Sequence, residues 1–253
     1  MDENYPTGTV EVTLDNKGIP SYIIHENVAW DYIKRTESCV ELAKKADAIC
    51  FGSLGQRSES SRNTILSMLE NANDSSNDKC LKIFDINLRQ HFYNKEIIHT
   101  SLKYANVLKL NDEELPIVAK LLGLEDKSES NNKEKAVNMI ESHNTADEHE
   151  NNKIYILNAL ADIYSLDLIA LTCGKKGSLL LSKGRTSSHP GFKVKIVDTV
   201  GAGDAFTAAV TIGLLQGFDL DEINNLANKL ASYVCSQEGG TPSLPKELTG
   251  LFE

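Results

Sequence analysis

Short apolar runs alternate with amphipathic stretches along most of the chain, and this pattern predicts strands that alternate with helices. The strand-like runs are residues 48–51, 81–86, 107–110, 168–172, 178–181 and 193–197. Helical periodicity covers residues 37–46, 58–71, 113–122, 203–216 and 220–236. Because short, continuously apolar strands between helices are buried on both faces, we predict an α/β fold, a three-layer α-β-α sandwich around a mainly parallel sheet.

The first 27 residues show a different pattern. Residues 9–14 alternate, with Val10, Val12 and Leu14 on one face, and residues 15–18 (Asp-Asn-Lys-Gly) are a turn signal. Residues 19–25 then read as a returning strand. This arrangement predicts a β-hairpin with one apolar face.

Composition narrows the class of protein. The chain has 253 residues, 41% of them hydrophobic, and a net charge of −10, so its surface repels phosphate backbones and we expect no nucleic-acid partner. Five scattered cysteines predict reduced thiols in a cytoplasmic protein, with Cys50 and Cys173 in the core. The N-terminus lacks the pattern of a signal peptide, and no apolar run is long enough to span a bilayer, so we expect no membrane partner.

One stretch combines a predicted strand, a glycine-rich turn and the start of a helix. Residues 193–197 run into Asp198, then into Gly201-Ala202-Gly203, and Asp204 follows in a segment rich in small residues. Glycine lets the backbone turn tightly and bare its N–H groups, and N–H groups at a helix N-terminus favour negative charge. The stretch therefore predicts an anion-binding turn with a carboxylate at its edge.

An anion-binding turn beside a carboxylate suits phosphoryl transfer to a hydroxyl group. The N–H groups stabilise charge on the transferred group, and the carboxylate accepts the hydroxyl proton as a general base. An ordinary strand-to-helix turn with an acidic residue in the first helical turn is the alternative, because short motifs of this kind recur by chance.

The longer string at residues 198–206, Asp-Thr-Val-Gly-Ala-Gly-Asp-Ala-Phe, resembles the C-terminal signature of the ribokinase, or PfkB, family of carbohydrate kinases. The resemblance implies that Asp204 is the catalytic base and that the backbone of Gly201, Ala202 and Gly203 is the anion hole. It also implies ATP as the phosphate donor, with Mg²⁺, and a monovalent cation (K⁺) beside Asp198.

Other stretches match motifs of the same family in the expected order. Residues 109–114 resemble its Asn-x-x-Glu motif, which implies that Asn111 binds nucleotide and Glu114 belongs to the magnesium–phosphate network; a helix N-cap is the alternative, and both can hold. Residues 172–177 resemble the nucleotide loop Thr-x-Gly-x-x-Gly, with an ordinary hairpin turn as the alternative. The resemblance also implies that five further residues contact the nucleotide: Thr172, Gly174, Gly177, Asn228 and Gly240. For Asn228 the alternative is an exposed asparagine on a helix without a binding role.

Residues 85–89, Asp-Ile-Asn-Leu-Arg, resemble the family segment Asp-x-Asn-x-Arg, and residues 26–31 resemble a run found in bacterial fructokinases. The resemblance implies that Asn87 and Arg89, together with Asp204, contact a small sugar. A surface ion pair is the alternative for Arg89.

The family pattern also sets expectations for domains. We expect a lid hairpin at residues 7–27 that serves as a homodimer surface, a kinase core at 28–253, and a polar surface insertion at 125–153. The Gly-Gly-x-x-x-Asn motif that precedes the lid in the family is not found, so an inactive remnant that still binds nucleotide is the alternative to a fructokinase-like enzyme. A NAD-dependent oxidoreductase is a third reading, disfavoured because no G-x-G-x-x-G joins a strand to a helix.

Overall fold

The computed structural model describes residues 2–14, 20–72, 74–75, 78–124 and 145–250. The chain divides into two compact units, residues 1–82 with 87–93, and residues 83–86 with 94–253. Most of the insertion predicted at 125–153 lies outside the described residues. Among the described residues, no helix is long and apolar enough to cross a bilayer.

The first unit begins with the hairpin. Strands β1 (Val10–Leu14) and β2 (Pro20–Ile24) pair antiparallel, with Val10 opposite Ile24, which confirms the predicted hairpin. Its apolar face is exposed, since Val10 and Val12 keep 54% and 53% of their surface in solvent. The other elements of this unit are a 3-10 turn (Ala29–Tyr32), α1 (Glu37–Lys45), β3 (Ala48–Gly52), a second 3-10 turn (Leu54–Gln56), α2 (Glu59–Asn71), β4 (Asp74–Ser75) and β5 (Asp78–Lys79).

The second unit contains most of the central sheet. Its elements, in chain order, are β6 (Leu81–Asp85, whose first two residues belong to the first unit), α3 (Lys95–Tyr104), β7 (Val107–Asn111), α4 (Glu114–Leu122), α5 (Thr145–Tyr164), β8 (Leu168–Thr172), a 3-10 turn (Gly174–Lys176), β9 (Ser178–Ser182), β10 (Arg185–His189), α6 (Ala202–Leu215), α7 (Leu220–Cys235) and α8 (Lys246–Thr249).

The sheet has six strands in the order β10-β9-β8-β7-β6-β3. Strands β6, β7 and β8 are parallel, and β9 and β10 continue the sheet antiparallel. Their apolar residues are buried, with Phe84, Leu108 and Ala170 at 0% exposure, because helices connect and cover parallel strands. The predicted α/β fold with a mainly parallel sheet is confirmed.

Three expectations differ from the structure. Residues 193–197 form no strand, and Val194 and Ile196 are exposed. Among the described residues no strand pairs with this segment, so its alternating pattern forms no ladder. Cys50 is exposed and Cys173 half-buried, so neither is core. Helix α5 begins within the stretch predicted as a surface insertion. The start of this helix was not predicted because its residues are polar and acidic and show no apolar periodicity.

Candidate active site

The glycine-rich turn leads directly into α6. Gly201 is the N-cap, with a left-handed φ of 79°, and its carbonyl accepts the first helical hydrogen bond from the Ala205 amide at 2.8 Å. Asp204 lies in the first turn and is exposed. The helix begins here because glycine alone adopts the left-handed cap without strain, and the turn leaves helix N–H groups and one carboxylate side by side.

A second loop lies against this turn. A Cβ atom at Gly201 would collide with the carbonyl oxygen of Gly240. Asp198 binds both segments, because its carboxylate accepts the Val200 amide at 2.9 Å and the Gly239 amide at 3.3 Å. Asp198 and Gly201 from one predicted motif and Gly240 from another therefore meet in one place.

Asn111 and Glu114 form a reciprocal cap at the start of α4. The Asn111 side-chain oxygen accepts the Glu114 amide at 2.8 Å, and the Glu114 carboxylate accepts the Asn111 amide at 2.9 Å. Glu114 is buried, at 5% exposure. The capping alternative is thus present, and the role in the magnesium–phosphate network remains a prediction that the cap does not exclude, because each carboxylate oxygen accepts more than one partner.

The loop of residues 172–177 follows β8, beside the end of β7. The Asp112 amide donates to the Thr172 carbonyl at 2.9 Å, which joins this loop to the Asn111 cap. Gly174 and Gly177 both have positive φ, 54° and 88°, and a Cβ at Gly177 would collide with the His189 carbonyl. The loop is compact and needs its glycines whether or not it binds a nucleotide.

Asn228 is buried at 5% exposure, so the alternative of an exposed helical asparagine is wrong. Its side-chain nitrogen donates to the Ser178 hydroxyl at 2.7 Å, and Ser178 in turn donates to Asn224 at 2.6 Å. This polar network links α7 to β9 immediately after the 172–177 loop. The adenine contact implied by resemblance remains a prediction.

A buried ion pair under the start of α6 was not predicted from the sequence. Lys109 on β7 donates to Asp85 on β6 at 3.0 Å, with side chains 9% and 10% exposed, and Thr207 on α6 donates to the other Asp85 oxygen at 2.9 Å. The Lys109 nitrogen lies 3.2 Å from the position of a Cβ at Gly203. A lysine flanked by leucines in a buried strand was the available signal, because such a charge requires a partner.

Burial raises the pKa of the Asp85 carboxyl above its ordinary value, although Lys109 and Thr207 act in the opposite direction and Asp204 adds to the rise. The buried Lys109–Asp85 pair therefore lies beneath the turn that carries the predicted base.

Asn87 and Arg89 belong to the first unit. Asn87 has a left-handed φ of 46°, which is unusual outside glycine. Arg89 is exposed and donates to the carbonyl of its neighbour Leu88 at 3.0 Å. Within the part of the chain that the structure describes, Arg89 makes no ion pair, so the alternative of a surface salt bridge is not seen there.

Known proteins that are similar to this chain in sequence and structure include several sugar kinases. Residues 1–247 match the model of the pfkB family of carbohydrate kinases. A putative sugar kinase of Pyrococcus horikoshii is 26% identical over 97% of this chain and 68% of its own, and a probable fructokinase-5 of Arabidopsis thaliana is 27% identical over 97% and 70%. Among solved structures, a 2-dehydro-3-deoxygluconokinase of Thermotoga maritima aligns with a TM-score of 0.71 at 18% identity, over 97% of this chain and 72% of its own.

Proposed function

Because the chain belongs to the pfkB family of carbohydrate kinases, we propose that it transfers the γ-phosphoryl group of ATP to the primary hydroxyl of a small sugar, as a fructokinase does. The observation that carries the proposal is the exposed Asp204 carboxylate in the first turn of α6, directly after the glycine turn of residues 201–203. Fructokinases among the relatives support fructose or a close analogue as the acceptor.

The chemistry assigns one role to each part of the turn. Asp204 accepts the proton of the sugar hydroxyl. The hydroxyl oxygen of the sugar bonds to the γ-phosphorus, and the bond from that phosphorus to the bridging oxygen of ADP breaks. The N–H groups of Gly201, Ala202 and Gly203 stabilise the charge on the transferred group. The helix dipole of α6 acts in the same direction.

ATP is supported as the donor by the Pyrococcus horikoshii sugar kinase, whose structure was also solved in complex with ATP; it aligns over 94% of this chain and 68% of its own, at 23% identity and a TM-score of 0.65. The loops after β7 and β8 meet through Asp112 and Thr172, and polar groups at the carboxyl ends of parallel strands are where α/β folds bind ligands. We propose that Asn111, Thr172, Gly174, Gly177, Asn228 and Gly240 contact the nucleotide.

Mg²⁺ fits the oxygen donors available, since Asn111 and Glu114 offer an amide and a carboxylate. Glu114 would help to order the phosphate oxygens and water around such an ion. Such an ion supplies charge neutralisation on the phosphates. Asp198, whose oxygens accept two amides, is the proposed neighbour of a K⁺ ion.

The hairpin of the first unit is the proposed lid over the sugar, which would exclude water and competing hydrolysis. Its exposed apolar face (Val10, Val12 and Tyr22) also suits a homodimer surface. Asn87 and Arg89 are the proposed sugar contacts, and the cytoplasm is the proposed location.

The test combines turnover with binding. We expect Asp204→Ala to lower kcat by about 10²–10⁴ in an ADP-release assay across a panel of sugars, while calorimetry shows nearly unchanged ATP affinity. Asp221→Ala, which removes an exposed carboxylate paired with Arg185, is the matched control and should keep full activity. Equal activity in Asp204→Ala would exclude Asp204 as the base, and ATP binding with no turnover of any sugar would favour the nucleotide-binding remnant.

A further inference from the structure

Arg57 lies at the centre of an unusual cluster in the first unit. Its Nε and Nη2 atoms donate to the two carboxylate oxygens of Asp31 at 2.7 and 2.8 Å, and both side chains are only 5% exposed. A paired fork of this kind fixes the guanidinium plane. The buried arginine is therefore held in one orientation by a residue 26 positions earlier in the chain.

The same guanidinium is stacked on two aromatic rings. Its Cζ atom lies 4.0 Å from the centre of the Trp30 ring and 4.6 Å from that of Phe92. Trp30 follows the hairpin, and Phe92 belongs to the segment of residues 87–93 that carries Asn87 and Arg89. Arg57 therefore contacts both the lid side and the predicted sugar-contact side of this unit.

The base of the hairpin is built onto this cluster. Nη2 of Arg57 also donates to the His25 carbonyl at 2.6 Å, just after β2 ends. On the other leg, a Cβ at Gly8 would collide with the Trp30 indole, and the Ala29 amide donates to the Pro6 carbonyl at 2.8 Å. The segment before β1 therefore lies against Trp30, and the residue after β2 bonds Arg57 itself.

A second link joins the hairpin to the 87–93 segment directly. The Gln90 side chain donates to the Tyr22 carbonyl in β2 at 2.8 Å. Gln90 has a left-handed φ of 48°, a conformation that costs free energy for a residue with a side chain. The bond joins β2 to the 87–93 segment within this unit.

The hydrogen-bonding of Arg57 is incomplete, because Nη1 is buried and has no partner among the described residues. An unpaired buried N–H is unfavourable, so Arg57 is not optimised as a simple ion pair. The contacts that Arg57 does make reach the His25 carbonyl, the Asp31 carboxylate and the Phe92 ring.

We propose that Arg57 is a positioning residue that couples the lid hairpin to the 87–93 segment, so that the lid and the sugar contacts Asn87 and Arg89 move as one body. The proposal rests on the proposed function, since it assigns those contacts to the sugar.

Hydrogen exchange measured by mass spectrometry on the whole chain tests the coupling without turnover. In Arg57→Met we expect exchange in β1 (Val10–Leu14) and in residues 87–93 to rise together by about tenfold or more, with α2 (Glu59–Asn71) unchanged. Arg57→Lys keeps the charge but loses the fork and the stacking, so it should give a smaller rise in the same two segments. Fluorescence of Trp30, the sole tryptophan in the chain, should change in both variants.

The controls separate coupling from general stability. Arg35→Met makes the same substitution at an exposed arginine of this unit that bonds Ser67, and should leave the hairpin and the 87–93 segment unchanged. Gln90→Ala, which keeps the Arg57 cluster, should raise exchange in residues 87–93. A parallel rise in α2 and β1, or no rise in either Arg57 variant, would overturn the proposal.

Kinetics provides the second readout. With a sugar that the wild type phosphorylates, Arg57→Lys should raise the sugar KM by about tenfold and leave the ATP KM unchanged, because the lid and the sugar contacts are no longer held together. If both KM values rise alike, Arg57 is only structural. Absence of turnover in the wild type would count against the proposed function, whereas the exchange experiment judges the coupling by itself.

Discussion

At the scale of single residues, two glycines that flank α6 share a backbone conformation and differ in surroundings. Gly201 and Gly217 have φ of 79° and 72°. A Cβ at Gly201 would meet the backbone of Gly240, whereas one at Gly217 would meet nothing within 4 Å. The comparison separates the cost of the left-handed conformation from the cost of displacing a loop.

We expect Gly217→Ala to lose about 1–2 kcal/mol of unfolding free energy, the penalty of a left-handed residue with a side chain. Gly201→Ala should lose more and should also weaken ATP binding, because the loop at Gly240 must move. Urea denaturation measures the first quantity and calorimetry the second. Equal losses of stability with equal ATP affinities would show that the contact between Gly201 and Gly240 has no role.

At the scale of elements, the Lys109–Asp85 pair joins β7 to β6, and Thr207 adds α6. Removing one member of a buried pair leaves an uncompensated charge and typically costs about 3–5 kcal/mol. Burial already raises the pKa of Asp85, and without Lys109 it rises further. The folded protein then takes up a proton that the unfolded chain does not, so acid should reduce the penalty.

Lys109→Met should therefore be strongly destabilised at neutral pH, and the loss should shrink as the pH falls toward the ordinary carboxyl pKa of 3.8, below which both states are protonated. Urea denaturation at several pH values measures this trend. Lys44→Met, which removes an exposed partner of Glu41, should leave stability nearly unchanged, because water screens exposed ion pairs. A penalty in Lys109→Met that does not depend on pH would mean that Asp85 is not the group left uncompensated.

The same elements show what the sequence could and could not predict. Strands such as β8 were predictable because they are buried on both faces and read as continuous apolar runs. β10 (Arg185–His189) was missed because only Ser187 is buried in an otherwise polar edge strand. Likewise, Lys109 and Asp85 are 24 residues apart, and only the parallel pairing of β6 with β7 places them together. Partners across a sheet depend on strand order, which periodicity does not contain.

At the scale of the whole molecule, a net charge of −10 opposes the approach of any polyanion, so we predict that ATP binding depends on a local positive site such as the N–H groups of the turn at 201–203. A ligand that binds only the folded chain raises its stability by mass action, by about 2.7 kcal/mol at a hundredfold excess over Kd. For a chain of this size, 1 kcal/mol corresponds to about 2–4 °C in Tm. Saturating Mg²⁺ and ATP should therefore raise Tm by about 5–10 °C.

Three further Tm measurements test whether this shift reports ATP bound at the proposed nucleotide site. NAD⁺ at the same concentration should produce no shift, because a dinucleotide needs the G-x-G-x-x-G turn that the sequence lacks. Asp204→Ala should show the same increase in Tm with ATP, since the proposed general base acts on the sugar hydroxyl rather than on nucleotide affinity. Gly201→Ala should show a smaller increase, because the substitution deforms the proposed anion hole. A shift with NAD⁺ and none with ATP would overturn the nucleotide assignment. A shift with ATP that disappears in Asp204→Ala would instead make Asp204 part of the nucleotide site and leave the proton of the sugar hydroxyl without an acceptor.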